Sequence, residues 1–279
     1  MQKYNLIPEQ LIYEGTITND QLFTPACMAD DDILLTHTHE WLNKLNGLTL
    51  SSAEIRKTGF PLTEALVTRE KIIMQGTIDA AMWALEHGVA MNLAGGTHHA
   101  FTNRGEGFCL LNDQAIAANL LLHHAQVKKI LIVDLDVHQG NGTAEIFKSN
   151  EQVFTFSMHG KKNYPFHKEQ SDLDVELEDG TNDETYLSLL DTHLKNLMDT
   201  VQPQFIFFQS GVDVMATDKL GKLGLSLQGC KQRDRLVFET AKLNQVPVCA
   251  SMGGGYSTRI ADIVEAHANT YRLAQEIYF

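Results

Sequence analysis

After Gly88 the sequence changes rhythm: short apolar runs at 89–94, 130–133 continuing to 138, 205–209 and 246–251 alternate with stretches such as 114–126 and 184–200 that suit helices. Runs this short, apolar throughout rather than at every second residue, suit strands buried on both faces, and strands separated by helices assemble into a parallel sheet. The expected fold class is α/β, a three-layer α/β/α sandwich around a mainly parallel central sheet. Ahead of it, 29–46 reads as one capped helix, and 62–87 carries a helical pattern that ends at Gly88, a residue suited to closing a helix. There is no repeat, low-complexity tract or linker-like stretch, so residues 1–279 are expected to form one domain.

The chemistry lies at the ends of the apolar runs. The first leads into Gly95-Gly96-Thr97-His98-His99, the second ends in Asp134-Leu135-Asp136-Val137-His138, the third reaches Asp213, and the fourth opens into Gly253-Gly254-Gly255-Tyr256. Open parallel sheets bind ligands beyond the carboxyl ends of their strands, so polar groups at four such ends point to one shared site.

In 134–138 the polar residues recur at every second position, and an extended backbone would turn Asp134, Asp136 and His138 to one side. Any one of them alone could be an ordinary core or capping residue. Three together are a different matter, because unpaired buried charges are costly and need a counter-ion or a metal. Carboxylate oxygen and imidazole nitrogen suit zinc, manganese or iron(II), and Asp213 is the best candidate to complete the set. Three protein ligands leave a position for water, as in catalytic rather than structural zinc, where water reaches a pKa near ~7 and can attack a carbonyl.

His98 and His99 come after a glycine pair that permits a tight turn, so both rings could reach the same pocket. The other His pair, His123-His124, falls near the end of a surface helix. The run Gly253 to Gly255 lacks both a Walker lysine and a dinucleotide-binding spacing, and reads as a close-approach turn presenting Tyr256. Cys109 lies in an apolar context without a base and reads as a buried thiol.

The formal charge of −13 and pI near 5.3 argue against a phosphate-backbone binder, so no direct nucleic-acid contact is expected. Such acidity serves solubility, and could also attract cationic substrates. The four cysteines, Cys27, Cys109, Cys230 and Cys249, form no C-x-x-C pair and read as buried thiols in a reducing cytoplasm. No stretch reaches the ~18 apolar residues of a membrane span, and no secretory leader is recognisable.

Taken in order, GGTHHA, GEGFCLLND, DLDVHQGNGT, SGVD and GGGY resemble the signature of the histone deacetylase superfamily, with its arginase/deacetylase-like fold. The form His138-Gln139-Gly140-Asn141, with GVDVMATDKLGKLGLS at 211–226, is most similar to the class IV deacetylases and their bacterial relatives. The resemblance implies zinc on Asp136, His138 and Asp213, with iron(II) as a substitute. It makes His98 and His99 the proton-managing pair, His98 set against Asp134 and His99 against Asn141, where class I members have an aspartate. It implies Tyr256 as the oxyanion donor, and Gly107, Phe108, Tyr164, Gly254 and Gly255 around the substrate. A structural potassium ion is implied near Asp134, Asp136, His138, Ser157 and Met158.

The implied reaction is hydrolysis of acyl, above all acetyl, groups from the ε-amine of lysine in proteins or peptides. Two departures bear on it. The short strand that family members place before the segment matching Lys3-Tyr4 has no counterpart, so an edge element and part of the inner cavity are expected to differ. The rim aspartate that fixes a peptide backbone has none in 57–61, which keeps small acylated amines, acetylated polyamines and long-chain acyl-lysine open as substrates. A two-metal ureohydrolase would want Asp-x-His-x-Asp, and Gly140 stands at the last position. A non-catalytic acyl-lysine binder would have lost a ligand or the tyrosine, and neither is lost.

Overall fold

The structure, a computed structural model, describes residues 2–279. Its elements run α1 (Lys3–Tyr13), α2 (Asp30–Ile33), α3 (His39–Asn46), α4 (Ser52–Thr58), α5 (Glu64–His87), β1 (Val89–Asn92), α6 (Asp113–His123) and β2 (Ile130–Asp134). They continue through α7 (Asn141–Phe147), β3 (Val153–Gly160), β4 (Leu173–Leu177), α8 (Asp183–Val201), β5 (Phe205–Gln209), α9 (Leu227–Leu243), β6 (Val248–Ser251) and α10 (Ile260–Tyr278).

The six strands form one sheet in the order β1-β6-β5-β2-β3-β4, and every pairing is parallel. This is the three-layer α/β/α sandwich expected from the alternation of strands and helices. Both faces are covered, which explains why β2 and β5 are apolar nearly throughout. Along β2 and β5, Ile130, Ile132, Phe205 and Phe207 point into the core shared with α5 and α6, while Leu131, Val133, Ile206 and Phe208 point into the core shared with α8, α9 and α10. Each such fully buried side chain contributes about 1.5–3 kcal/mol of transfer free energy, so the sheet centre is the stable platform of the molecule.

Register then does something the sequence hides. Across the carboxyl end of the sheet, Asn92 pairs with Ser251, Ser251 with Gln209, Gln209 with Asp134, Asp134 with Ser157 and Ser157 with Asp174. A continuous polar row therefore ends the apolar strands. The four strands whose ends carry the candidate residues, β1, β6, β5 and β2, are direct neighbours.

Several expectations need correction. The single helix at 29–46 is two, α2 and α3, because the chain turns at 34–38 and restarts where the Thr38 side chain accepts from Trp41 N. The strand expected to run on to 138 stops at Asp134, since carboxylates replace the ladder: Asp136 N donates to Asp134 Oδ1, Val137 N to Asp213 Oδ1 and His138 N to Asp136 Oδ1. Cys27 is exposed, unlike the other three cysteines. Strands β3 and β4 and helices α1, α9 and α10 add to the elements expected from the sequence.

Candidate active site

The two glycines after β1 let the chain fold back sharply, at φ of +77° and +79°, and deliver His98 and His99 over the polar row. Asp113, in the first turn of α6, pins this loop: its carboxylate accepts from Gly96 N (3.0 Å), Thr97 N (2.8 Å) and Thr97 Oγ1 (3.0 Å), and on its other oxygen from Thr77 and Ser251 hydroxyls (2.8 Å each). Gln209 Nε2 adds a bond to Gly96 O at 2.8 Å. Both imidazoles are buried, with ring centroids 4.1 Å apart.

Their partners differ. His98 Nδ1 lies 2.6 Å from Asp134 Oδ2, and His99 Nδ1 lies 2.7 Å from Asn141 Oδ1. Both acceptors are oxygens, so each ring donates from Nδ1; a neutral His99 then has an unprotonated Nε2, whereas a cationic His98 carries a hydrogen on both nitrogens, its Nε2 lying 3.9 Å from Asp136 Oδ1. Burial opposes charge on His98, but Asp134 and Asp136 overcome it and hold the ring up at about 9. His99 is pushed well below the usual imidazole value by burial and by the charges of His98 and His138.

Asp136, His138 and Asp213 come together as expected, each offering a ligand atom within 4.8 Å of the others. His138 Nδ1 faces Asp136 Oδ1 at 3.1 Å and Asp213 Oδ2 at 3.2 Å. Burial works against a charged His138, yet the two carboxylates raise it to about 10, and burial together with Asp136 lifts Asp213 to about 6. Two buried carboxylates around one imidazole nitrogen hold an excess of negative charge, and this donor set fits a divalent cation such as zinc. Arg233 of α9, fully buried, supports the arrangement from behind by donating to the carbonyls of Leu135, Ser210 and Gly211, which carry the loops bearing Asp136 and Asp213.

The glycine run after β6 approaches this cluster closely. Gly254 N donates to Asp136 Oδ2 at 2.9 Å, and a Cβ on Gly254 would collide with Asp213 Oδ2, so no other residue fits. Tyr256 comes next, its N–H donating to Asp218 Oδ2 at 2.6 Å. The tyrosine is 43% exposed, and burial heads the causes that raise its hydroxyl to about 12.

An open cavity of about 710 Å³ lies above these groups. His98, His99, Asp136, His138, Asp213, Gly107, Phe108, Tyr164, Gly254 and Tyr256 all line it. Phe108 keeps a left-handed φ of +66° while 47% exposed, a conformation that costs a non-glycine residue about 1–3 kcal/mol and that places its ring 6.3 Å from Tyr256. Tyr164 stands edge-on to His99 at 5.0 Å and donates to Glu106 at 2.8 Å. Asp134, Asn141, Ser157 and Met158 are buried behind the lining, and Gly255 is not part of it.

Sequence reasoning did not single out Asp113, Asp218, Arg233 or Lys3. Lys3 lines the cavity and donates to Gly253 O at 3.1 Å; burial lowers its pKa against the pull of Asp213 and Asp136. Only Asp113 and Asp218 had a local signal, the first-turn acid of a helix and the Asp-x-x-Gly turn.

A buried cluster of two carboxylates and an imidazole beside paired histidines, at the carboxyl edge of a parallel sheet, makes one metal-capable site. The Histone deacetylase domain profile matches residues 1–271, and the chain belongs to this family. It is 41% identical over 278 residues to an uncharacterized protein of Picosynechococcus sp., covering 100% of this chain and 93% of that one. It is 28% identical over 271 residues to Histone deacetylase 2 of Arabidopsis thaliana, covering 94% and 70%. A crystal structure of an HDAC homolog complexed with SAHA superposes with a TM-score of 0.83 at 25% identity, covering 96% of this chain and 76% of that one.

Proposed function

We propose that the chain, as one catalytic unit over 1–279, is a metal-dependent deacylase that hydrolyses the amide of acyl-lysine, acetyl-lysine first, in proteins or peptides. The observation that carries this reading is the meeting of the Asp136–His138–Asp213 cluster with a histidine pair biased in opposite protonation directions. Asp136, His138 and Asp213 would hold zinc, or iron(II), which supplies Lewis acidity at the carbonyl and lowers the pKa of water.

The residues of the chain do the rest. Phe108 and Tyr164 flank the aliphatic stem of the lysine. Tyr256 donates its hydroxyl hydrogen to the amide oxygen, an interaction that strengthens as charge develops there. His99, kept neutral, takes a proton from water on Nε2 as the new C–O bond forms at the carbonyl carbon. His98, kept cationic by Asp134, contributes positive charge beside the oxyanion and fixes the order of protonation. The C–N bond then breaks, the proton passes to the amine, and a carboxylic acid and lysine leave. Asp134 and Ser157, neighbours across β2 and β3, support a potassium site shared with Met158 and the 136–138 backbone. The Gln139 and Asn141 form of the motif supports the class IV group, and the reduced cysteines support a cytoplasmic setting. Among the described residues no helix is long and apolar enough to cross a membrane.

Absence of an acid in 57–61 favours a second reading, a deacylase of small acylated amines or longer acyl chains on the same machinery. The deciding experiment is turnover of acetyl-lysine peptide, trifluoroacetyl-lysine, long-chain acyl-lysine and acetylated polyamine, with and without chelator and zinc restoration. Chelator-sensitive hydrolysis of the acetyl-lysine peptide is expected; hydrolysis that ignores the chelator, or none at all, overturns the reading.

A further inference from the structure

The mouth of the cavity carries a charge opposite to that of the chain. The whole protein has a formal charge of −13, yet Arg56, Lys57, Lys162 and Lys222 all line the opening, and all four are exposed. They converge from the last turn of α4, the segment after β3 and the loop before α9. Lys222 Nζ donates to Lys162 O at 3.3 Å, so two of them stand together.

Little at the mouth offsets this charge. Glu106, the remaining carboxylate of the lining besides buried Asp136 and Asp213, is already engaged: it accepts from Tyr164 Oη at 2.8 Å and Arg104 Nε at 2.9 Å, and faces Lys57 at 3.7 Å. Lys162 has a loose contact with Asp179 at 3.6 Å. Arg56 and Lys222 have no carboxylate within 4.0 Å among the described residues.

We propose that this mouth selects acyl-lysines flanked by acidic residues, over those flanked by basic residues and over acylated polyamines. The inference rests on the deacylase reading and names the substrate class of that same site. With the acyl-lysine stem in the cavity, residues one or two positions away lie within about 7 Å of its backbone exit. That reach is shorter than the Debye length of about 10 Å at 0.1 M salt, so flanking carboxylates sit in the field of the cations that line the mouth. Single exposed charges do little, whereas several of one sign around a low-dielectric cleft focus a field that concentrates ligands of the other sign. A polyamine would have to bring its free ammonium groups past the same four cations.

The test uses three labelled peptides of equal length, each with one acetyl-lysine flanked on both sides by two Glu, two Gln or two Arg. Binding is read by fluorescence anisotropy on zinc-loaded Tyr256→Phe protein, and kcat/KM on the native enzyme. Near 0.02 M salt the Glu peptide is expected to outperform the Arg peptide by about 10-fold or more in both measurements, with the gap closing toward about 0.5 M. The double variant Arg56→Glu with Lys222→Glu should invert the order; if its melting curve shows it unfolded, Arg56→Gln with Lys222→Gln should collapse the gap. Equal binding of the three peptides at low salt, or preference for the Arg peptide, overturns the proposal. Turnover without charge preference would overturn it while leaving the hydrolase intact, whereas preferential binding of the Glu peptide with no turnover of any peptide would support the mouth and overturn the hydrolase.

Discussion

The rings of His98 and His99 lie 4.1 Å apart and are driven in opposite directions, His98 up to about 9 and His99 well below the ordinary imidazole value. Both are buried, so desolvation disfavours charge on each. What separates them is charge: Asp134 and Asp136 raise His98, whereas His99, backed by the neutral amide oxygen of Asn141, also faces the charges of His98 and His138. Groups whose surroundings push their pKa values apart divide acid and base work between them, and here the neutral ring is His99.

Replacing Asn141 by Asp tests that division. A carboxylate in hydrogen-bond reach favours the charged imidazole by about 1–3 units. The acidic limb of the pH profile of kcat/KM, where neutral His99 is lost, is expected to move to higher pH by about one unit or more. A limb that stays in place would remove His99 from the role of base.

Tyr256→Phe should leave metal content at one ion per chain and lower kcat about 100-fold or more, the usual loss on removing an oxyanion donor. Because burial and its neighbours lift the Tyr256 hydroxyl to about 12, the native enzyme keeps this hydrogen throughout the working range. Any decline of native activity at high pH should therefore arise elsewhere than in this hydroxyl and persist in the Phe variant. Near-normal turnover of the variant would sink the assigned role.

The sandwich was legible because parallel strands must be apolar on both faces, and the site was legible because polar residues at strand ends break that rule. What stayed hidden were relations that only register and tertiary contact create. Nothing in the spacing of Asp134 and Gln209 shows that they stand side by side, or that β1, β6, β5 and β2 are neighbours. Strand β4, with three partly exposed positions and two carboxylates, lacks the apolar signal that betrays a central strand. Arg233 lies within a helix whose charged residues look solvated, yet it is fully buried under three backbone carbonyls. Lys3 reads as an ordinary terminal lysine and becomes part of the cavity because α1 docks on α10.

Metal binding should release protons. Without an ion, Asp136 and Asp213 keep His138 charged up to about 10 against the cost of burial, while Asp213 itself loses its proton above about 6. A cation must displace the His138 proton, so at pH 8 zinc binding is expected to release at least one proton per chain. Titration calorimetry in buffers of different ionisation enthalpy reads this directly, independent of activity. Heats that do not vary with the buffer would mean that His138 is not a ligand.

Glu70 carries a stability prediction away from the metal cluster. Its side chain is 4% exposed on α5; Oε1 accepts from Arg69 at 2.7 Å and Oε2 has no partner among the described residues. Burial, outweighing Arg69, raises this carboxyl to about 7. A carboxyl whose folded pKa exceeds its unfolded value contributes stability that is complete below about pH 4 and is lost as pH rises through about 7. At pH 8 the native state holds an unfavourable buried charge, which Glu70→Gln removes; at pH 5 the native carboxyl is already neutral and the substitution gains little. The variant's Tm is expected to rise on the order of 10 °C at pH 8 and hardly at all at pH 5, from about 1.4 kcal/mol per pKa unit and about 2–4 °C per kcal/mol for a chain of this size. A Tm that falls at both pH values would show instead that the Arg69 pair outweighs the burial cost, as happens when a buried ion pair loses one partner.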